Sequence, residues 1–160
     1  MKKKLITLFL FLIIPINALA LIEVDITRGN LNPLPLAVSP LSIDESSRKS
    51  FENILDKENI GSEISIIVEN NLRTSGLFNP LSKDAFLQEP DIANLKPRFE
   101  DWNLIKAQAL ITGKVTFVDE KLRVEFRLWD VLAGKEMMAL AFTTVPNNWR
   151  RVGHIISDKI

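Results

Sequence analysis

Apolar and polar residues alternate with a strict period of two in two stretches of the chain. Ile22, Val24 and Ile26 interleave with Glu23, Asp25 and Thr27, and Leu122, Val124, Phe126 and Leu128 interleave with Arg123, Glu125 and Arg127. A period of two sends alternate side chains to opposite faces, so both stretches predict half-buried strands. Ala109 to Val118 and Met137 to Val145 are also strand-like. Short polar turns at Asp119-Glu120-Lys121 and at Leu132 to Lys135, the latter with Gly134, join these last three strands. That spacing predicts an antiparallel meander. Leu34 to Leu41 is apolar but carries Pro35 and Pro40. Proline cannot donate to a ladder, so this is an edge strand or a strand with irregular ends. Phe78 to Leu81 predicts a short strand interrupted by Pro80.

The period changes between Gly61 and Ser75. Ile60, Ile64, Ile67, Val68 and Leu72 recur at helical spacing, with Glu63, Glu69, Asn70 and Arg73 elsewhere. Ser62 is the expected N-cap. Gly76 is the expected stop, with Leu77 covering the last turn. A shorter helix is expected around Phe51, Ile54 and Leu55, after a polar loop or helix start over 42–50. Residues 82–98, with Pro90 and Pro97, read as loop with one helical turn near Ala85-Phe86. Asp101 is placed to cap a short helix from Trp102 to Ala107, and Asn148 to cap a final helix that buries Trp149, Val152, Ile155 and Ile156. The order predicts an α/β (α+β) fold. It is a two-layer domain with a mixed sheet, an antiparallel C-terminal meander and helices packed on one face. The final helix reaches Ile160 with no closing Gly, Asn or Pro, so the chain reads as cut inside or just after it.

The N-terminus changes the picture. Lys2, Lys3 and Lys4 precede a run from Leu5 to Ile14 that is apolar except for Thr7; Pro15 and Asn17 break it, and Ala18-Leu19-Ala20 follows. This is the layout of a cleavable signal peptide over residues 1–20, with cleavage between Ala20 and Leu21. The run is about half the roughly 20 residues that a spanning helix needs. Residues 21–160 then form the working domain, in a periplasm-like compartment and without direct membrane insertion after cleavage. No cysteine stands at the site to be lipidated.

The 160 residues hold 20 Lys and Arg against 20 Asp and Glu, so loss of the three lysines leaves a weakly acidic chain. That balance argues against nucleic acid as a partner. There is no cysteine, no tyrosine and one histidine, which excludes thiol chemistry and cysteine metal sites. Stability in an oxidising compartment then rests on the core rather than on disulfides. No cofactor or metal is expected.

The chemically suggestive residues have structural readings. His154 is alone, with only Asp158 at i+4 as a helix-surface partner, too few groups for a closed metal site. Ser75-Gly76 lacks the G-x-S-x-G elbow and an adjacent base. Asp130 is expected to accept hydrogen bonds in the Val131–Gly134 turn. Asp119-Glu120 reads as a solvated turn, and Arg150, Arg151 and Lys159 as the polar side of the last helix or an inter-domain contact. Trp129 points opposite to Leu128, toward helix packing or an interface.

Four stretches are more specific than a fold pattern. They are Leu72-Arg73-Thr74-Ser75-Gly76-Leu77-Phe78, Phe99-Glu100-Asp101-Trp102, Val124-Glu125-Phe126-Arg127-Leu128-Trp129-Asp130-Val131, and Trp149-Arg150-Arg151-Val152-Gly153-His154-Ile155-Ile156-Ser157-Asp158-Lys159-Ile160. In this order, behind a signal peptide, they resemble the N-terminal α/β domain of the TolB family of the Tol-Pal system, over about residues 22–160. The resemblance implies a non-enzymatic periplasmic adaptor. It would link inner membrane, peptidoglycan and outer membrane, and support outer-membrane integrity and invagination at cell division. In the family a six-bladed β-propeller follows and is the main docking surface for the lipoprotein Pal; the sequence ends where the link to it would begin. The family's first mature residues bind TolA. Here these are Leu21, Ile22, Glu23, Val24, Asp25, Ile26, Thr27 and Arg28, a strand able to add to another sheet edge and ending at the hinge-competent Gly29. The alternative is a periplasmic α/β regulator of a peptidoglycan synthase, a group that would need a cysteine where Leu21 stands.

Overall fold

The computed structural model describes residues 32–160. The signal segment, its cleavage site at Ala20 and Leu21, the strand expected at Ile22–Thr27 and the whole segment Leu21–Arg28 lie outside the described residues. The elements are β1 (Leu34–Val38), β2 (Ser42–Ile43), α1 (Glu45–Leu55), α2 (Ile60–Thr74), β3 (Phe78–Pro80), α3 (Pro90–Leu95), α4 (Phe99–Leu104), β4 (Ala109–Val118), β5 (Lys121–Asp130), β6 (Lys135–Thr144) and α5 (Trp149–Lys159).

Six strands form one mixed sheet in the order β3-β1-β4-β5-β6, with β2 pairing β4 off this path. β1 runs parallel to both β3 and β4, whereas β4, β5 and β6 are the expected antiparallel meander. Of the two readings of Leu34–Leu41, the edge strand is overturned, because β1 lies between two neighbours. The irregular ends hold. The β1–β4 register begins at Leu36, one residue past Pro35, and Pro40 lies beyond the last strand residue. The missing proline N–H groups thus fall outside the β1–β4 ladder, although Pro35 is in register with Asn79 of β3. Asp119 and Glu120 both take positive φ, 51° and 58°. This is the left-handed pair that lets a two-residue turn follow the twist of β4 and β5. In β5–β6 the register steps from Leu128↔Met138 to Trp129↔Glu136, so Met137 is a bulge.

Helix starts differ most from expectation. α2 is capped by Asn59, not Ser62; the Asn59 side chain accepts from the Ser62 N–H at 3.4 Å. α1 begins at Glu45, capped by Asp44, which accepts from the Ser47 N–H at 2.9 Å. The stretch read as loop contains α3, with Pro90 in its first turn, where a missing N–H costs nothing. α4 starts at Phe99, so Asp101 lies inside its first turn instead of capping it. Asn148 makes no cap bond; its Nδ2 donates to Thr144 Oγ1 at 3.1 Å. Gly76 stops α2 as expected, with φ of 73°, while Leu77 is 54% exposed and covers little.

The period-two pattern sorts residues into two cores. Leu36, Val38, Ile111, Val115, Val124 and Phe126 face α1, α2 and α5, where Phe51, Ile64, Val68, Val152 and Ile156 meet them. These three longer helices lie on one face, as expected. The opposite face adds a smaller core, in which Ala37 and Leu110 pack with Trp102, Ala107 and Val131. The short α4 segment supplies that cover. Each fully buried large side chain here contributes about 1.5–3 kcal/mol relative to exposure.

Candidate functional site

No cluster of three or more His, Asp or Glu able to hold a metal occurs among the described residues. Ser75 and Asp130, two groups with catalytic potential, are occupied locally. Ser75 Oγ donates to the Leu72 carbonyl at 2.7 Å and accepts from the Leu77 N–H at 3.2 Å, finishing α2. Asp130 Oδ1 accepts from the Ala133 N–H at 2.8 Å, the turn role its sequence position suggests. Asp119 and Glu120 are exposed at the β4–β5 turn.

His154 sits on the outer side of α5, and its partner lies across the helix pair rather than at Asp158. Asn71 Nδ2 of α2 lies 2.8 Å from His154 Nδ1 and donates to Ser157 Oγ at 3.1 Å. Ser157 Oγ in turn donates to the Gly153 carbonyl at 2.9 Å. The single proton of the serine is thereby used, and Asn71 must present its N–H groups. His154 Nδ1 is then an acceptor in the arrangement shown. The cluster ties α5 to α2; its one hydroxyl, Ser157, is held by Asn71 and the Gly153 carbonyl and makes no hydrogen bond to the imidazole.

Asp44 is the described group whose acidity departs clearly from the ordinary range. Hydrogen bonds from the Ser46 hydroxyl and the Ser47 N–H hold its pKa at about 2, against an ordinary 3.8. Its environment is a helix cap, not a cleft. Trp129 resolves into helix packing: its ring meets Phe99 of α4 edge-on at 5.7 Å, and Nε1 donates to the buried Thr112 Oγ1 at 2.9 Å. Arg150 lies over the Trp149 ring at 4.9 Å.

What the described surface offers instead is apolar relief. At the sheet end where β1 begins, Leu34, Phe78, Leu128, Leu132, Met137 and Ile160 line an open groove of about 330 Å³. Leu132 and Met137 are 68% and 64% exposed there. Sequence reading missed this groove. Its one local signal is Leu132, an apolar residue in a turn that needs none. Met137 is turned outward by the bulge, which no periodicity reports. Among the described residues no helix is long and apolar enough to cross a membrane.

Comparison with known proteins supplies the remaining context. The family model of the TolB amino-terminal domain matches residues 22–137. The Tol-Pal system protein TolB of Pelagibacter ubique (strain HTCC1062) is 84% identical over 151 residues, covering 94% of this chain and 34% of the relative. The chain thus spans about a third of the length of that curated relative. The crystal structure of TolB from Acinetobacter baumannii matches with a TM-score of 0.59 at 20% identity, over 79% of this chain and 27% of that one, a likeness of fold. The C-terminal domain of LpoB from Salmonella enterica matches with a TM-score of 0.47 at 12% identity, over 71% of this chain and 82% of that one, which is too loose to carry an argument.

Proposed function

This chain belongs to the TolB amino-terminal domain family, and from that membership we propose that it works as a non-enzymatic, periplasmic adaptor of the Tol-Pal system. In this reading residues 1–20 are removed on export, and residues 21–160 form the amino-terminal domain. The new N-terminal segment, Leu21 to Arg28, binds a TolA-like inner-membrane protein. A Pal-like lipoprotein docks on the β-propeller that follows in longer family members. The assembly serves outer-membrane integrity and invagination at division.

One observation carries the reading: the family match begins at Ile22. It takes in the alternating strand pattern and leaves the signal-like residues outside. In an extended conformation the alternating pattern of Ile22, Val24 and Ile26 would put three apolar side chains on one face, which suits addition to another protein's sheet edge. The local occupation of Ser75, Asp130 and His154 supports an adaptor over an enzyme. The test is deletion of Leu21–Arg28 from the processed full-length protein, followed by calorimetric titration with the TolA C-terminal domain. Loss of binding is expected, and unchanged affinity overturns the reading. Mass spectrometry of the exported protein should give Leu21 as the first residue.

A further inference from the structure

Strand β6 forms one edge of the sheet, and among the described residues it pairs only with β5. Its outer N–H and C=O groups face no ladder partner among the described residues. Edge strands are ordinarily blunted by charge, by proline or by a covering segment. From Met137 to Val145 this strand has neither charge nor proline. Lys135, Glu136 and the Met137 bulge obstruct only its first end.

The helix layer extends beside this edge. A cavity of about 180 Å³ lies between Phe142, Thr143 and Thr144 of β6 and Arg151, Val152 and Ile155 of α5. Leu140 stands opposite Phe126 on the core-facing side, yet it is 38% exposed. The apolar shelf is therefore wider than the sheet that covers it. Its charge has one sign. Arg151 is exposed and makes no ion pair among the described residues, and no carboxylate lines the cavity.

We propose that β6 accepts an extended segment of a partner protein as an added strand, apolar at alternate positions and carrying a carboxylate that reaches Arg151. Backbone pairing along β6 would supply the register. The strand's alternate side chains would fall onto Leu140, Phe142 and Ile155, where they complete the shelf. The Arg151 guanidinium would select an acidic partner by a charge-assisted hydrogen bond. This acceptor edge is distinct from the donor role proposed for Leu21–Arg28 and does not rest on it.

The test uses the full-length protein and a fluorescein-labelled peptide in which valine alternates with threonine and one valine is replaced by glutamate. Saturable binding is expected. N-methylation of the alternate amides on one edge should abolish it, while methylation of the other edge should not. Arg151→Glu should weaken binding at least about tenfold, the size of one charge-assisted contact. A peptide with lysine for glutamate should restore it, and Arg151→Lys should retain it. Four results overturn the proposal: no saturable binding, binding indifferent to Arg151→Glu, a self-associated dimer with β6 buried, or β6 amides already protected from exchange by the rest of the full-length chain.

Discussion

Gly153 of α5 meets Ile67 of α2 so closely that a β-carbon on the glycine would lie 2.9 Å from Ile67 Cγ2 and 3.0 Å from its Cβ. The helix pair is built on this approach, and a β-branched neighbour in a helix has little rotamer freedom with which to yield. At Gly61 the obstacle is harder: a β-carbon would press on the backbone carbonyl oxygen of Leu41. Alanine gains about 1 kcal/mol of helix propensity over glycine at either site. Overpacking costs about 1–3 kcal/mol or more. Gly153→Ala is therefore expected to be mildly destabilising and Gly61→Ala severely so, in that order, by urea denaturation.

Ser65 is 1% exposed and serves three backbone groups. Its Oγ accepts from the Leu41 N–H at 3.0 Å, and its single proton is shared between the Ser39 carbonyl at 3.1 Å and the Gly61 carbonyl at 3.0 Å. It fastens the β1–β2 link to α2 from inside. Ser65→Ala should cost about 1–3 kcal/mol, because buried backbone groups lose their partner. Ser65→Thr, which keeps the hydroxyl but adds a methyl, should fail differently, by crowding. Calorimetric melting of both variants beside wild type separates the two.

Asp44 gives the domain an acid-sensitive limb. Its pKa is lowered from 3.8 to about 2, chiefly by the Ser46 hydroxyl, then by the Ser47 N–H. A depressed carboxylate contributes stability that is present above the unfolded value and is lost as pH falls through the folded one. The window is therefore pH 4 to 2. The side chain is 38% exposed and Lys114 lies 4.0 Å away, so solvent screens the charge term and the hydrogen-bonded cap dominates. Asp44→Ala should lose about 1 kcal/mol near neutrality. Asp44→Asn, still a good cap, should melt with a flatter acid limb than wild type between pH 4 and 2.

The meander, the Gly76 stop and the buried face of α5 were legible because each follows from local signals. Alternation in Leu122–Leu128 places side chains without reference to the rest of the chain, and Gly76 alone tolerates its left-handed φ cheaply. What was not legible depends on distant partners. Ser62 and Asn59 are both capping residues three apart, and only the packing of Ile60 into the core, where it is 0% exposed, selects Asn59. β1 is interior because β3 and β4 flank it, which Pro35 within it and Pro40 just after it argue against. The groove at Met137 accompanies one extra residue in β6, and β6 is an edge because, among the described residues, it pairs only with β5.

The stretch 82–98 shows why polar sequence is not always loop. Gln88 is 5% exposed. Its Nε2 donates to the Arg98 carbonyl at 2.7 Å and to Asp101 Oδ2 at 3.1 Å, while its Oε1 accepts from the Arg98 N–H at 3.1 Å. One amide thus closes a ten-residue excursion around α3 and holds the start of α4. α4 in turn carries Trp102, which packs edge-on to Phe86 at 5.0 Å over the second core. An amide can both donate and accept here; a carboxylate cannot donate, and beside Asp101 it adds repulsion. Gln88→Glu should therefore damage this region at neutral pH more than Gln88→Ala, which is expected to cost about 1–2 kcal/mol. The effect should be local. Hydrogen exchange is expected to speed up over residues 86–104 while the β4–β5 amides keep their protection, since the hydrogen bonds of Gln88 go to Arg98 and Asp101. Equal acceleration in both regions would show instead that the two cores unfold as one unit.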